Sequence, residues 1–249
     1  MPLLSLRISR PPIRIQASPA HRCQSEGLLT CVVVEQLIVT MDGPSGTGKS
    51  TVSRAVADRA GLPHLDTGAF YRAATLAILR SGVDPEDEEA VTGVIKNLTL
   101  EQTEGSMYLN GEDVSAEIRG EQVTGAVSRV SAYADVRSIL VEQQRRWVEQ
   151  HGGRAVVEGR DIGSVVFPNA TLKVYLDARP EVRAARRAAQ DGVDDSTQVL
   201  KNIARRDHFD STRSASPLTV PDGAEIVDTS DLSFDRVVER VLDLVASKS

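Results

Sequence analysis

Cysteine is nearly missing from this chain. Its only two, Cys23 and Cys31, lie near the start, and positions 32–249 contain none. A disulfide framework or a cysteine-ligated zinc in the main body is thereby excluded, and the usage fits a reducing cytosol. Long hydrophobic runs are missing too. None approaches the ~18 consecutive apolar residues that a membrane-spanning helix needs. Positive charge is in deficit, with 29 Lys plus Arg against 35 Asp plus Glu, a net −6. Such a chain makes a poor general nucleic-acid binder, because a phosphate backbone demands a basic face. The rest is ordinary: 249 residues, 41% hydrophobic and 26% charged, suffice for one α/β core.

Residues 1–31 differ from the remainder. They carry Arg7, Arg10, Arg14 and Arg22 but one acid, Glu26. No apolar segment follows a basic start, which argues against a secretory signal. The composition is somewhat transit-peptide-like. The expectation is a disordered extension or a start codon placed too far upstream, with one domain over 32–249.

The body alternates. Residues 36–41, 64–65, 155–157, 172–176 and 224–227 read as strands. Helices are expected over 51–60, around Phe70 to Ile78, from 84 onwards, over 121–132 and 134–150, near 180–190 and 196–210, and at the end from Phe234 to Val245. Residues 98–114 alternate polar and apolar around Glu104-Gly105 and Asn110-Gly111, predicting a small antiparallel insert. Strands alternating with helices predict a parallel sheet covered on both faces.

Behind the first strand stand Gly43, Pro44, Ser45, Gly46, Thr47, Gly48, Lys49 and Ser50. They fit G-x-x-x-x-G-K-S/T with a strand before and a helix after, as that motif requires. Glycines let successive N–H groups turn inward, and the helix N-terminus adds positive potential there. Lys49 can reach the β- and γ-phosphates, and the Ser50 hydroxyl can ligate Mg²⁺. This cradle does not choose a reaction. A GTPase switch would carry a guanine-reading N-K-x-D, and none occurs. A motor would carry an apolar strand ending in a catalytic Asp. The nearest segment, Leu172 to Asp177, reads as a structural strand. A kinase predicts late arginines gripping a second phosphate. Arg72, Arg137, Arg160, Arg206 and Arg213 are candidates, although any one could be a solvated surface residue. Arg72 lies opposite the apolar stripe of its helix. Arg206, Asp210 and Arg213 recur at i, i+4, i+7, the bland account being a weak i,i+4 ion pair.

Five segments in this order, MDGPSGTGKST, LDTGAFYRA, VEGRDIGSVVFP, VYLDARPEVRAARR and ARRDHFDSTRSASPL, resemble the bacterial cytidylate kinases over about residues 36 to 247. The resemblance implies an adenylate-kinase-like P-loop NTPase fold. It has a parallel sheet flanked by helices, a monophosphate-binding region over about 67–137 that contains the antiparallel insert, and a short lid over about 186–195. It implies transfer of the ATP γ-phosphoryl group to CMP or dCMP with Mg²⁺. Apart from the resemblance, a cytoplasmic monomer with no nucleic-acid or membrane partner is expected.

Residue by residue, the resemblance gives ATP to Gly43 through Thr51 and to Arg186. Thr67, Arg72, Arg160 and Arg213 would hold the CMP phosphate. Ser128, Arg137 and Asp161 would read cytosine, and Arg206 and Asp210 would contact the ribose. Lys49, Arg160, Arg187 and Arg213 would act on the transferring group, with Ser50 at the metal. Thr67 stands where relatives often have Ser, and Phe209 where some carry a further arginine. Adjacent residues in an extended segment face opposite ways, so Arg160 and Asp161 need not pair with each other. Arg160 would turn to phosphate and Asp161 to the base. Two rival readings stay open: a P-loop kinase for another small acceptor, and a nucleotide sensor without turnover.

Overall fold

The computed structural model describes residues 36–103, 105–192 and 196–248. The extension expected over 1–31 and the last part of the expected lid, 193–195, lie outside the described residues.

Five parallel strands form the central sheet: β1 (Leu37–Asp42), β2 (His64–Asp66), β6 (Arg154–Glu158), β7 (Leu172–Asp177) and β8 (Glu225–Asp228), in the order β2-β6-β1-β7-β8. β1 sits at the centre, with Val39 opposite Val156 of β6 and Leu172 of β7. Alternation along each strand decides which face a side chain joins. Leu37, Val39 and Met41 of β1 pack with α1 (Lys49–Ala60) and α8 (Phe234–Ala246) on one face. Ala155 and Val157 of β6 join α2 (Thr67–Ser81) and α5 (Ala134–Gln150) on the other. Both faces are therefore dry, as a parallel sheet requires.

The second face is extended by α3 (Glu88–Ile95), α4 (Glu121–Val130) and a three-stranded antiparallel sheet, β3 (Leu100–Thr103), β4 (Ser106–Leu109) and β5 (Glu112–Asp113). The expected insert is thus present. Gln102 docks it to the sheet edge, its amide accepting from Asp66 N at 3.1 Å and donating to His64 O at 3.0 Å.

α6 (Pro180–Asp191) and α7 (Ser196–Thr212) lie apart from the two main cores. They bury Ala184, Ala188, Val199 and Ile203 against each other. Gly192, with φ of 66°, ends α6 in the left-handed conformation. The expected lid, about 186–195, falls at the end of α6 and the start of the segment that follows it. Two helices start away from their expected positions. α1 begins at Lys49, inside the glycine-rich motif, and α3 begins at Glu88 because the Asp87 carboxylate caps Ala90 N.

Candidate active site

A cleft of about 280 Å³ opens where the carboxyl ends of β1, β2 and β6 meet α2, α4, α6 and α7. Of the expected site residues, Ser45, Gly46, Gly48, Lys49, Ser50, Thr51, Thr67, Arg72, Ser128, Arg137, Arg160, Asp161, Arg187, Arg206, Asp210 and Arg213 all line it. Gly43, Pro44, Thr47 and Arg186 do not. The first three are buried backbone of the cradle.

Gly43 has φ of 143°, and a Cβ there would lie 2.1 Å from Leu176 O, so only glycine lets the chain leave β1 here. The Lys49 ammonium donates to Pro44 O at 2.6 Å. Burial, and then the Arg160 guanidinium, push that ammonium below its ordinary value. Ser50 Oγ donates to Glu158 Oε2 at 2.8 Å, and Glu158 Oε1 lies 3.4 Å from His64 Nε2. Hydroxyl and carboxylate oxygen therefore sit together at the mouth of the cradle. Residue type and spacing alone give Glu158 no role.

Arg160 and Asp161 do not pair with each other, although the expected reason needs correcting. β6 ends at Glu158, and Asp161 has φ of −140° and ψ of 27°, so this is a bend rather than an extended pair. Both side chains line one cleft and are separated by their partners. Arg160 donates from Nε to Asp210 Oδ2 and from Nη1 to Gly43 O, each at 2.9 Å. The buried Asp161 carboxylate accepts from Arg137 Nη2, and Arg213 Nη2 lies 3.6 Å from its other oxygen. Arg137 also donates to Ser131 O at 3.1 Å.

Local spacing misjudges Asp210. Arg206 Nε lies 4.0 Å from it, beyond hydrogen-bond reach, whereas Arg160, fifty residues earlier, is its close partner. Thr67 gives its hydroxyl proton to Glu158 O at 2.6 Å, so in this arrangement it is not free to donate to a phosphate. Arg72 donates to Ile118 O and Thr124 Oγ1. Arg186, expected at ATP, turns behind the cradle to Thr229 Oγ1 at 2.8 Å and Thr229 O at 2.6 Å. Asp177 ends β7 as a structural residue, accepting from its neighbour Ala178 N.

Sequence reasoning missed a clamp on the cradle. Asp207 Oδ1 accepts from Ser45 N at 3.1 Å, its Oδ2 accepts from Arg183, and Arg183 Nη1 donates to Ser45 O at 3.1 Å. One residue of the cradle is thus held on both backbone polar groups by α6 and α7.

The arrangement is an anion trap. Burial and the neighbouring cations lower the pKa of Arg213 and bring that of Arg206 down to about 10. Arg72 is lowered by burial too. An arriving polyanion relieves both costs.

The profile of the cytidylate kinase family matches residues 39–247. The chain belongs to the cytidylate kinase family. A cytidylate kinase of Rhodococcus opacus is 51% identical over 221 residues, 86% of this chain and 96% of that protein. One of Mycobacterium leprae is 49% identical over 217 residues, 86% and 97% of the two chains. A solved structure of an uncharacterised protein from Eubacterium ventriosum covers 85% of this chain and 99% of its own at 11% identity, with a TM-score of 0.50, a likeness of fold alone. Family membership accounts for the two-ended cleft. One end is a P-loop cradle and the other is the Asp161 group, with the cationic side chains between.

Proposed function

We propose that this chain transfers the γ-phosphoryl group of ATP to CMP or dCMP, releasing ADP and CDP or dCDP. The observation that carries the reading is the concentration of cationic side chains in a cleft with two differently equipped ends. Lys49, Arg72, Arg206 and Arg213 are all held below their ordinary pKa by burial, and Asp161 is fixed beyond them.

The nucleophile is a phosphate oxygen of CMP, already ionised near neutral pH, so no general base is needed. The difficulty is bringing two polyanions together. The cradle amides and Lys49 hold the ATP phosphates, and Arg72, Arg160 and Arg213 hold the acceptor phosphate. Arg187, from the lid side, neutralises charge on the moving group. Arg206 and Asp210 meet the ribose. Closing the lid over both substrates keeps water from the γ-phosphate.

No cluster of three or more metal-ligating side chains occurs among the described residues. Mg²⁺ is commonly held by one or two protein oxygens together with the substrate's own phosphates. The Ser50 hydroxyl and the Glu158 carboxylate, 2.8 Å apart, are hard oxygen donors of the required kind. Bound there, the ion would neutralise charge shared by the β- and γ-phosphates.

Cytosine presents an amine, N4, beside the acceptors N3 and O2. The Asp161 carboxylate suits the amine, and Arg137 and Ser128 can donate to the acceptors. Uracil would place an oxygen against Asp161. Such a polar mismatch discriminates far better than a missing methylene. The test is a coupled assay with CMP, dCMP, UMP and AMP, on the wild type and on Asp161→Asn. CMP and dCMP are turned over well and UMP poorly, and the substitution narrows the CMP-to-UMP ratio. Equal efficiency with CMP and UMP in the wild type overturns the reading. ATP binding without turnover on any acceptor would support a sensor instead.

No helix among the described residues is long and apolar enough to cross a membrane. The cysteine usage supports action in the cytoplasm. A monomer is the proposed active unit, checked by light scattering.

A further inference from the structure

Three consecutive residues at the end of β1 grip the loop that follows β6. Gly159 N donates to Met41 O at 3.1 Å. Ile162 N donates to Asp42 Oδ1 at 2.7 Å and Gly163 N to Asp42 Oδ2 at 2.8 Å. Arg160 Nη1 donates to Gly43 O at 2.9 Å. The loop between carries Asp161. A Cβ on Gly163 would meet Thr40 Oγ1 at 2.8 Å and Asp42 Oδ2 at 3.2 Å, so the loop has no slack against β1.

Asp42 is the unusual member. It is wholly buried, and among the described residues no Lys or Arg forms an ion pair with it. Burial pushes its pKa up to about 6, with nearby Asp161 adding to the rise and its two N–H donors opposing it. A buried carboxylate without a counter-ion is costly. An amide of the same shape avoids that cost. It cannot do the same work, because two adjacent N–H groups need two acceptor oxygens, and an amide turns an NH₂ toward one of them. Only a carboxylate satisfies both at once.

We infer that Asp42 is a specificity-positioning residue, locking residues 161–163 so that the Asp161 carboxylate is presented to the amine of the pyrimidine. The inference rests on the reading of Asp161 as the base sensor and deepens it. Asp42 touches no substrate itself. Its effect passes through the backbone of Ile162 and Gly163, one residue beyond the sensor.

The experiment compares Asp42→Asn and Asp161→Asn with the wild type, using CMP and UMP as acceptors, each substrate's KM being measured separately. Losing one charge-assisted hydrogen bond that orients the sensor lowers the CMP-to-UMP efficiency ratio about tenfold or more. The loss falls mainly on the KM for CMP, with the KM for ATP within about twofold of wild type, since the cradle amides are untouched. A merely structural Asp42 would reduce the active fraction and leave the ratio alone. If Asp42→Asn is insoluble, Gly163→Ala moves the same loop from its other side with Asp42 intact and lowers the ratio in the same way. An unchanged ratio in Asp42→Asn, where Asp161→Asn does lower it, overturns the inference and spares the base reading. So does a parallel rise of both KM values. An unchanged ratio in Asp161→Asn itself removes the base reading, and the inference with it.

Discussion

The clamp of Arg183 and Asp207 on Ser45 can be taken apart bond by bond. Asp207 accepts from the Arg183 guanidinium and from Ser45 N, and Arg183 donates in addition to Ser45 O and to Ala178 O at 3.0 Å. The two side chains are 10% and 18% exposed, so solvent screens them weakly. Breaking a fully buried ion pair by removing one partner costs about 3–5 kcal/mol. Here Arg183 keeps two carbonyl acceptors after Asp207 is lost. The expected cost of Asp207→Ala therefore falls to about 2–3 kcal/mol, near one charge-assisted bond plus a neutral one. For a domain of this size that is a fall of roughly 5–10 °C in Tm.

Function should separate from stability. Ser45 belongs to the cradle, so the loss of its restraints acts on ATP. Asp207→Ala raises the KM for ATP several-fold and leaves that for CMP nearly unchanged. Asp207→Asn keeps an oxygen for Ser45 N but removes the charge facing Arg183. It should melt lower than wild type while retaining most of the ATP affinity. A double-mutant cycle with Arg183→Met, read by urea denaturation, should give a coupling of about 1–2 kcal/mol. Strict additivity in that cycle, or an equal rise in both KM values for Asp207→Ala, would refute the clamp as a link from α6 and α7 to the cradle.

Two further outcomes follow from the cleft. Arg187→Ala lowers kcat by up to about 10³ while raising the KM for CMP much less, since an arginine on a transferring phosphoryl group acts chiefly in the transition state; a change confined to that KM would move Arg187 out of the transferring role. Asp42 makes stability depend on pH. Its pKa rises from 3.8 to about 6 on folding. Its contribution is therefore fully present below about 4 and is lost as pH rises through about 6, a swing of about 3 kcal/mol. Urea melts of wild type and Asp42→Asn between pH 4 and 7 should show the variant gaining on the wild type as pH rises; a constant difference would count against a buried ionised Asp42 without a counter-ion.

Elements built from local pattern were legible in the sequence. α5 matches its expected span of 134–150 because an apolar stripe runs to Trp147 and Gly152 and Gly153 stop it. The antiparallel insert was readable because Asn110 and Gly111, at φ of 51° and 86°, form the tight turn that such a pair predicts. Most of the motif residues line one cleft, whereas Gly43, Pro44, Thr47 and Arg186 do not. The unread residues form their bonds across long stretches of chain. Asp42 reaches Ile162, Ser50 reaches Glu158, and Asp207 reaches Ser45. Residue type and spacing carry no record of such partners. A partial signal existed at Asp42 and Glu158, since a lone acid closing an apolar strand beside a glycine-rich turn has to be satisfied somewhere.

Arginine shows why composition could not finish the task. Arg80 and Arg179 are ordinary surface residues. Arg80 meets Glu112 and Glu117, Arg179 meets Asp231, and those hydrogen bonds push both guanidinium pKa values up. Arg72, Arg206 and Arg213 are pushed the other way by burial, with like-charged neighbours adding to it. The first group has its charge answered within the protein. The second has too few carboxylates within reach, since Asp161 and Asp210 are already shared with Arg137 and Arg160. A fold that retains this much unanswered positive charge loses stability for as long as the cleft is empty. That loss is recovered when anions enter, so residue type alone does not separate an arginine that holds the fold from one available to a ligand.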